Sequence, residues 1–338
     1  MGAFETASGK HVGPDSAGHS TSTQTSSSAR APGRRWLSVA VFLLASPAFA
    51  TEGGGNSYPM GVETNFNGVM LTEGAHWFVY YSHYGATHSK NNAGEDNPQL
   101  ARFRLAVNTV APRLSYVWPG ARLFGAKIET RVVQAIVASD LEAAVARPDA
   151  QVPLNRGGNR TGLADMALSP VILGWHSETF HQTTGVDLHL KTGTYDVSER
   201  VNTGRNYAQA AVFYAFTWFP ATGFDLNAKL RYATNQRNKA TDYRSGNEAS
   251  IEFSGGYRVN PQLVVGFNGY VYRQTTDDEQ AGRVASGNGN RGRVNSFGPY
   301  LTYNLTPRLA LVAKLQQEFG ARNKPEGMRL WLQARMPL

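Results

Sequence analysis

From about residue 75 onward, apolar and polar side chains alternate along the chain instead of recurring at helical spacing. The clearest stretch is Phe224-Asp-Leu-Asn-Ala-Lys-Leu-Arg-Tyr232. Phe224, Leu226, Ala228, Leu230 and Tyr232 fall on one side, with Asp225, Asn227, Lys229 and Arg231 on the other. Successive strand side chains point to opposite faces, so this strand separates an apolar surface from a charged one. The same division sets Val186, Leu188 and Leu190 against Asp187, His189 and Lys191. It sets Ala249, Ile251 and Phe253 against Glu248, Ser250 and Glu252, and Leu330, Leu332, Ala334 and Met336 against Arg329, Gln333 and Arg335.

About twelve such strands are bounded by Gly, Asn, Asp and Pro clusters. Their connections are sorted by length. Short turns follow Trp118, Ser177, Phe219, Arg258 and Thr306, and long polar connections span residues 85–99, 140–162, 196–205, 235–247 and 275–293; the last, 320–327, is modest. Transmembrane barrels have short periplasmic turns and long external loops, whereas a β-sandwich has no reason to sort them so. The pattern predicts an all-β, antiparallel, up-and-down transmembrane barrel over residues 75–338, with both termini in the periplasm. Fourteen strands would result if residues 60–74 also paired; otherwise residues 51–74 form a periplasmic lead-in or a partial plug. Trp118, Trp175, Trp218, Tyr257 and Tyr303 lie beside short turns, and Tyr84, Tyr195, Tyr232 and Tyr272 lie near the long loops. Two levels of amphipathic rings suggest two membrane interfaces. Pro170 sits inside an apparent strand, and in a closed barrel its missing N–H calls for a bulge.

The N-terminal segment predicts export. Arg34-Arg35 precedes an apolar stretch from Trp36 to Ala45, then Ser46-Pro47-Ala48-Phe49-Ala50. A basic patch, a short apolar core and an Ala-x-Ala ending form a secretory signal, cleaved after Ala50. Residues 1–29, rich in Ser, Thr and Gly, read as a disordered leader, which a translation start placed too far upstream would explain. The arginine pair also fits twin-arginine export, but a barrel must stay unfolded until it reaches its membrane and no cofactor motif is present.

Composition narrows the function classes. The chain contains no cysteine, which excludes disulfides and thiolate metal sites. Mean hydropathy is −0.37 and no run of about 20 apolar residues exists for a membrane helix. The net charge of +8 is spread without the Lys/Arg runs that track nucleic acid. The eight histidines lack Glu or Cys at ligand spacing, so no metal is expected, and no cofactor motif is present. His88-Ser89-Lys90-Asn91 is the nearest approach to a barrel-lipase arrangement, but a mobile loop holds neither base nor orienting group. No catalytic residue is expected. The Gly-rich run from Gly287 to Arg293 leads into no helix and reads as a flexible loop, not a phosphate cradle.

Charge inside a membrane strand has one inexpensive direction. Facing lipid at the midplane costs about 2–4 kcal/mol, while a wet lumen keeps the group hydrated. Lys127, Glu129, Arg131, Asp187, His189, Lys191, Asp225, Lys229, Arg231, Glu252, Lys314, Glu318, Arg329 and Arg335 are therefore expected to line the lumen. Opposite charges facing one another would fill much of it with ion pairs, favouring a gated or laterally opening path over a wide pore. Arginines of the long loops, among them Arg147, Arg156, Arg200, Arg237, Arg283 and Arg291, are expected to meet solvent or the lipopolysaccharide head groups of the outer leaflet.

Residues 65–338 resemble the outer-membrane transporter family named for the meta-pathway of phenol degradation. The matching strings are Ser169-Pro-Val-Ile-Leu-Gly-Trp-His176, Thr192-Gly-Thr-Tyr-Asp196, Asn202-Thr-Gly-Arg-Asn-Tyr207, Thr241-Asp-Tyr-Arg-Ser-Gly-Asn-Glu248, Gly269-Tyr-Val-Tyr-Arg-Gln-Thr-Thr-Asp-Asp278, Gly289-Asn-Arg-Gly-Arg293 and Phe319-Gly-Ala-Arg-Asn-Lys-Pro-Glu-Gly327. Their order along nearly the whole chain makes the match specific. The family usually has proline where Lys191 stands, and the C-terminus, Met336-Pro-Leu338, lacks the aromatic that barrel-assembly machinery commonly reads. The resemblance implies passage of small hydrophobic or aromatic compounds through the outer membrane of a Gram-negative bacterium, with no binding residue to carry over. The competing classes are a lipase-type barrel enzyme and a structural or adhesive barrel.

Overall fold

A computed structural model describes residues 54–147, 152–306 and 309–337. The expected signal peptide and its expected cleavage site after Ala50 lie outside the described residues. Twelve antiparallel strands close into a barrel. They are β1 (Gly74–Ser89), β2 (Leu100–Leu123), β3 (Ala126–Val133, continued as Ile136–Val145), β4 (Gly158–Leu163, continued as Ala167–His176), β5 (Phe180–His189) and β6 (Gln209–Trp218). Then follow β7 (Phe224–Asn235), β8 (Glu248–Arg258), β9 (Leu263–Gln274), β10 (Arg293–Thr306), β11 (Leu309–Arg322) and β12 (Pro325–Pro337). Each strand pairs with its neighbours in sequence, and β1 pairs with β12 to close the wall, with Tyr80 opposite Gln333. Residues 60–73 add no strands, so the count is twelve and not fourteen.

The period-2 pattern becomes an inside-out burial pattern. On β7, Phe224, Leu226, Leu230 and Tyr232 are exposed, while Asp225, Asn227, Lys229 and Arg231 are buried. A soluble barrel would bury the first set; a membrane wall presents it to lipid. Long connections follow the odd strands and short turns the even ones, except that β11 and β12 join through Asn323 and Lys324 alone. Asn323 adopts φ 51°, in the left-handed region that Asn tolerates at tight turns.

Two irregularities shape the β3–β5 side. The register slips around Pro170 against both β3 and β5, the bulge that a proline in a closed wall requires. β4 is also broken at residues 164–166, where Asp165 accepts backbone N–H groups of Gly193 at 2.8 Å and Arg205 at 2.7 Å. These bonds fasten the β5–β6 loop over the break.

The aromatic levels differ from expectation at one end. Trp118, Trp218, Tyr257 and Tyr303 are exposed on the outer surface near the short turns, and Trp175 is half-buried with its indole N–H on the Phe124 carbonyl. At the long-loop end only Tyr232 follows suit. Tyr84 and Tyr272 are buried inside the barrel, and Tyr195 lies in a loop. Alternation explains the correction: Tyr84 shares parity with Tyr80 and Ser82, and Tyr272 with Tyr270, all of which point inward.

Candidate functional site

Residues 54–73 run through the inside of the barrel, from the long-loop end to the short-turn end where β1 begins. At the start, the Lys324 ammonium donates to the Gly54 carbonyl at 3.1 Å and to Asn56 Oδ1 at 2.6 Å. Burial pushes that ammonium down to about 8 against the pull of Glu248 and Glu318. At mid-lumen the wall grips the backbone from two sides. Glu252 accepts the N–H of Gly61 at 2.5 Å and of Glu63 at 2.8 Å, while Lys314 donates to the carbonyls of Gly61 and Val62, each at 2.8 Å. Gly61 holds φ +84°, which glycine adopts without a steric penalty. Further down, the Phe66 N–H donates to Asn227 Oδ1 at 2.9 Å and Thr183 Oγ1 donates to the Asn67 carbonyl at 2.8 Å. A Cβ on Gly68 would stand 2.3 Å from the Thr217 amide nitrogen, so only glycine allows this approach. Glu73 ends the segment at the rim, ion-paired with Arg122 at 3.1 Å.

Glu63 is the centre of the electrostatics. Its carboxylate meets Arg113 at 3.0 Å, Arg131 at 2.6 Å and Lys229 at close contact. Glu129 shares the two arginines at 3.4 and 3.1 Å, and Asp187 takes Lys229 at 3.5 Å and Arg231 at 3.8 Å. Four wall cations thus surround two wall anions plus one supplied by the segment. Charges withdrawn from water are stable only when paired and hydrogen-bonded, so Glu63 reduces the positive excess that the wall alone leaves.

The structure turns most of the expected lumen residues inward. Glu129, Asp187, Asp225, Lys229, Arg231, Glu252, Lys314 and Glu318 are all buried in the interior, and Arg131 nearly so. His189 is buried edge-on to Tyr58, with ring centroids 6.3 Å apart. Asp225 accepts from Asn227 at 2.6 Å, and Glu318 from the hydroxyls of Tyr84 and Tyr270 at 2.7 and 2.5 Å. Arg329 lies over the Tyr84 ring at 4.6 Å, while Lys127 and Arg335 are half-buried towards the short-turn end. Lys191 is the exception. β5 ends at His189, and Lys191 is exposed in the loop beyond it, so strand parity no longer governs its direction.

Sequence reasoning missed Glu63, Arg113 and Lys324. A signal existed: the expected lumen set holds eight Lys or Arg against five Asp or Glu, which implies an anion from elsewhere. Arg113 was hidden because Pro112 obscured the alternation of β2.

Other motifs assemble no chemistry. His88 pairs with Asp96 at 3.1 Å, but the neighbouring Ser89 hydroxyl is buried without a hydrogen bond, since adjacent strand residues face opposite ways. His176 and His181 approach to 3.1 Å beside a short turn. Among the described residues no three His, Asp or Glu side chains gather as a metal-holding group. Several loop arginines are already engaged: Arg237 with Asp242 and Glu279, and Arg291 with Asp277.

A family model described as "Putative MetA-pathway of phenol degradation" matches residues 86–334. A sequence comparison with curated proteins finds no match. Among solved structures, the chain is similar to the COG4313 outer membrane channel from Pseudomonas putida F1, at TM-score 0.66 and 16% identity, over 80% of this chain and 97% of that one. It also matches the transport unit of the autotransporter AIDA-I from Escherichia coli, at TM-score 0.48, 9% identity and 80% and 93% coverage. A third match is the CymD monoaromatic hydrocarbon channel, at TM-score 0.41 and 9% identity, over 87% of this chain and 98% of that one. The first is a likeness of fold, and the other two add nothing to it.

Proposed function

The chain belongs to the family of the MetA-pathway of phenol degradation, and on that premise we propose that it is an outer-membrane channel for small hydrophobic or aromatic compounds, held closed by residues 54–73. Family membership over residues 86–334 carries the solute class. The lumen geometry supports the closed state, because the segment occupies the axis and is tied at its top, middle and bottom. A membrane-facing apolar wall around a polar interior suits a channel, and its short-turn end then faces the periplasm. Insertion by the barrel-assembly machinery and contact of the free loop arginines with lipopolysaccharide belong to the same reading. The lipase-type alternative has no assembled nucleophile and base to support it, so the chain is read as a non-enzyme.

The test pairs two assays. Cells carrying the protein should take up labelled toluene faster than cells without it, while planar bilayers should show low or intermittent ionic conductance. A large, steady conductance with no effect on toluene uptake would replace this reading with a general porin.

A further inference from the structure

A cavity of about 310 Å³ lies at the short-turn end, between the luminal segment and the wall. Small-molecule sites begin at roughly 300 Å³ and combine an apolar lining with a few convergent polar groups. Here the apolar part comes from Val62, Val69 and Leu71 of the segment and from Phe78, Val264 and Val312 of the wall. The polar part is unbalanced. Arg113, Arg131, Arg258 and Arg335 border the space, against only Glu63 and Glu129 as acids.

These arginines are not equivalent. Arg113 and Arg131 are committed to Glu63 and Glu129, as described above. Arg258 is exposed at the rim and reaches the Pro261 carbonyl at 3.4 Å. Arg335 is half-buried on the inner face of β12 and forms no hydrogen bond or ion pair with any described residue. A guanidinium presents a planar fork of donors that matches a carboxylate bidentately, and a withdrawn one without a partner is costly. Glu63 and Glu129, the two acids of the lining, are already shared between Arg113, Arg131 and Lys229, which leaves Arg335 as the lining cation open to a ligand from outside the chain.

We propose that this cavity binds a small aromatic carboxylate, its ring against Phe78 and Val312 and its carboxylate on Arg335. Ring and charge are both required by the lining. A phenol is a poorer fit, because a phenolic hydroxyl, like that of tyrosine with a pKa near 10, stays neutral at pH 7. The proposal rests on the channel reading for its purpose, and it adds acidic aromatics, met at the short-turn mouth, to the solutes of that reading. Binding itself can be tested without transport.

The experiment is calorimetric titration of the detergent-purified protein with benzoate, benzyl alcohol and acetate. Benzoate should bind at least about tenfold more tightly than either single-feature analogue, because a charge-assisted fork and ring burial each contribute on that scale. Arg335→Gln should weaken benzoate at least about tenfold and leave benzyl alcohol unchanged, with Arg335→Lys recovering part of the loss. Val312→Trp, which fills the cavity and keeps every charge, should abolish binding and provides the test should Arg335→Gln fail to fold. Equal affinity for benzoate and benzyl alcohol, full affinity in Arg335→Gln, or full affinity in Val312→Trp would overturn the proposal. Toluene uptake by the same cells separates the two failures. Uptake that persists without benzoate binding removes the site and leaves the channel.

Discussion

The two halves of the luminal segment are held by different physics. Residues 54–64 are gripped by charge: Glu252 and Lys314 clasp the backbone, and the Glu63 carboxylate sits among three cations. Residues 65–73 are held by neutral hydrogen bonds, donated to Asn227 and Thr217 and accepted from Thr183, and by Met70 packed against Val117, Ile172 and Phe213. Their ion pair, Glu73 with Arg122, is exposed at the rim. Buried charge pairs are strongly destabilising to break from one side, whereas neutral bonds exchange for water at modest cost. On the proposed closed state, the upper half is expected to set whether the lumen is blocked, and the lower half, which supplies most of the segment's side of the cavity, is expected to yield locally.

That contrast orders the expected effects. Glu63→Gln should act most strongly, leaving Arg113, Arg131 and Lys229 short of a counter-charge and weakening the seat by about 3–5 kcal/mol. In bilayers the variant should show longer and more frequent openings than the parent. Unchanged gating would mean the charge cluster does not hold the segment. Thr183→Val removes one neutral donor to the Asn67 carbonyl and should cost about 0.5–1.5 kcal/mol. Hydrogen exchange should then quicken at residues 65–70 and not at 58–63; uniform quickening would erase the division into halves. Glu73→Gln should be nearly silent in both assays, because an exposed ion pair gains little in water. A strong opening phenotype there would move the latch from mid-lumen to the rim.

How much of this could be read from the sequence depends on which feature carries the information. The wall was legible because a membrane imposes a strict period: Leu226 and Leu230 must face lipid, so Asp225 and Lys229 must face in. Loop lengths gave the strand count for the same reason. The same parity accounts for the burial of Asp187, Lys229, Glu252 and Lys314, and it loses its force at Lys191, where the strand stops two residues early. Rings were less legible. A tyrosine near a long loop satisfies a girdle or an inner hydrogen bond equally well, and Tyr84 and Tyr272 take the second course. The segment reads from sequence only as a lead-in or partial plug, because residues 54–73 have no period to read. Their contacts are made with residues some 50 to 270 positions away, as Glu63 with Arg113 and Lys324 with Gly54 show. Only the surplus of lumen cations pointed to an acid from outside the wall.

On this reading, solute crosses only when the segment leaves its seat. The chain has no cysteine, so a pair introduced as Thr64→Cys and Ser254→Cys, where the Ser254 hydroxyl now donates to the Thr64 carbonyl at 2.7 Å, would be unique. Labelled toluene uptake should be compared in cells carrying this variant before and after oxidation, and again after reduction. Oxidation should stop protein-dependent uptake and reduction should restore it. Uptake that continues at the same rate with the segment covalently tethered would contradict that reading.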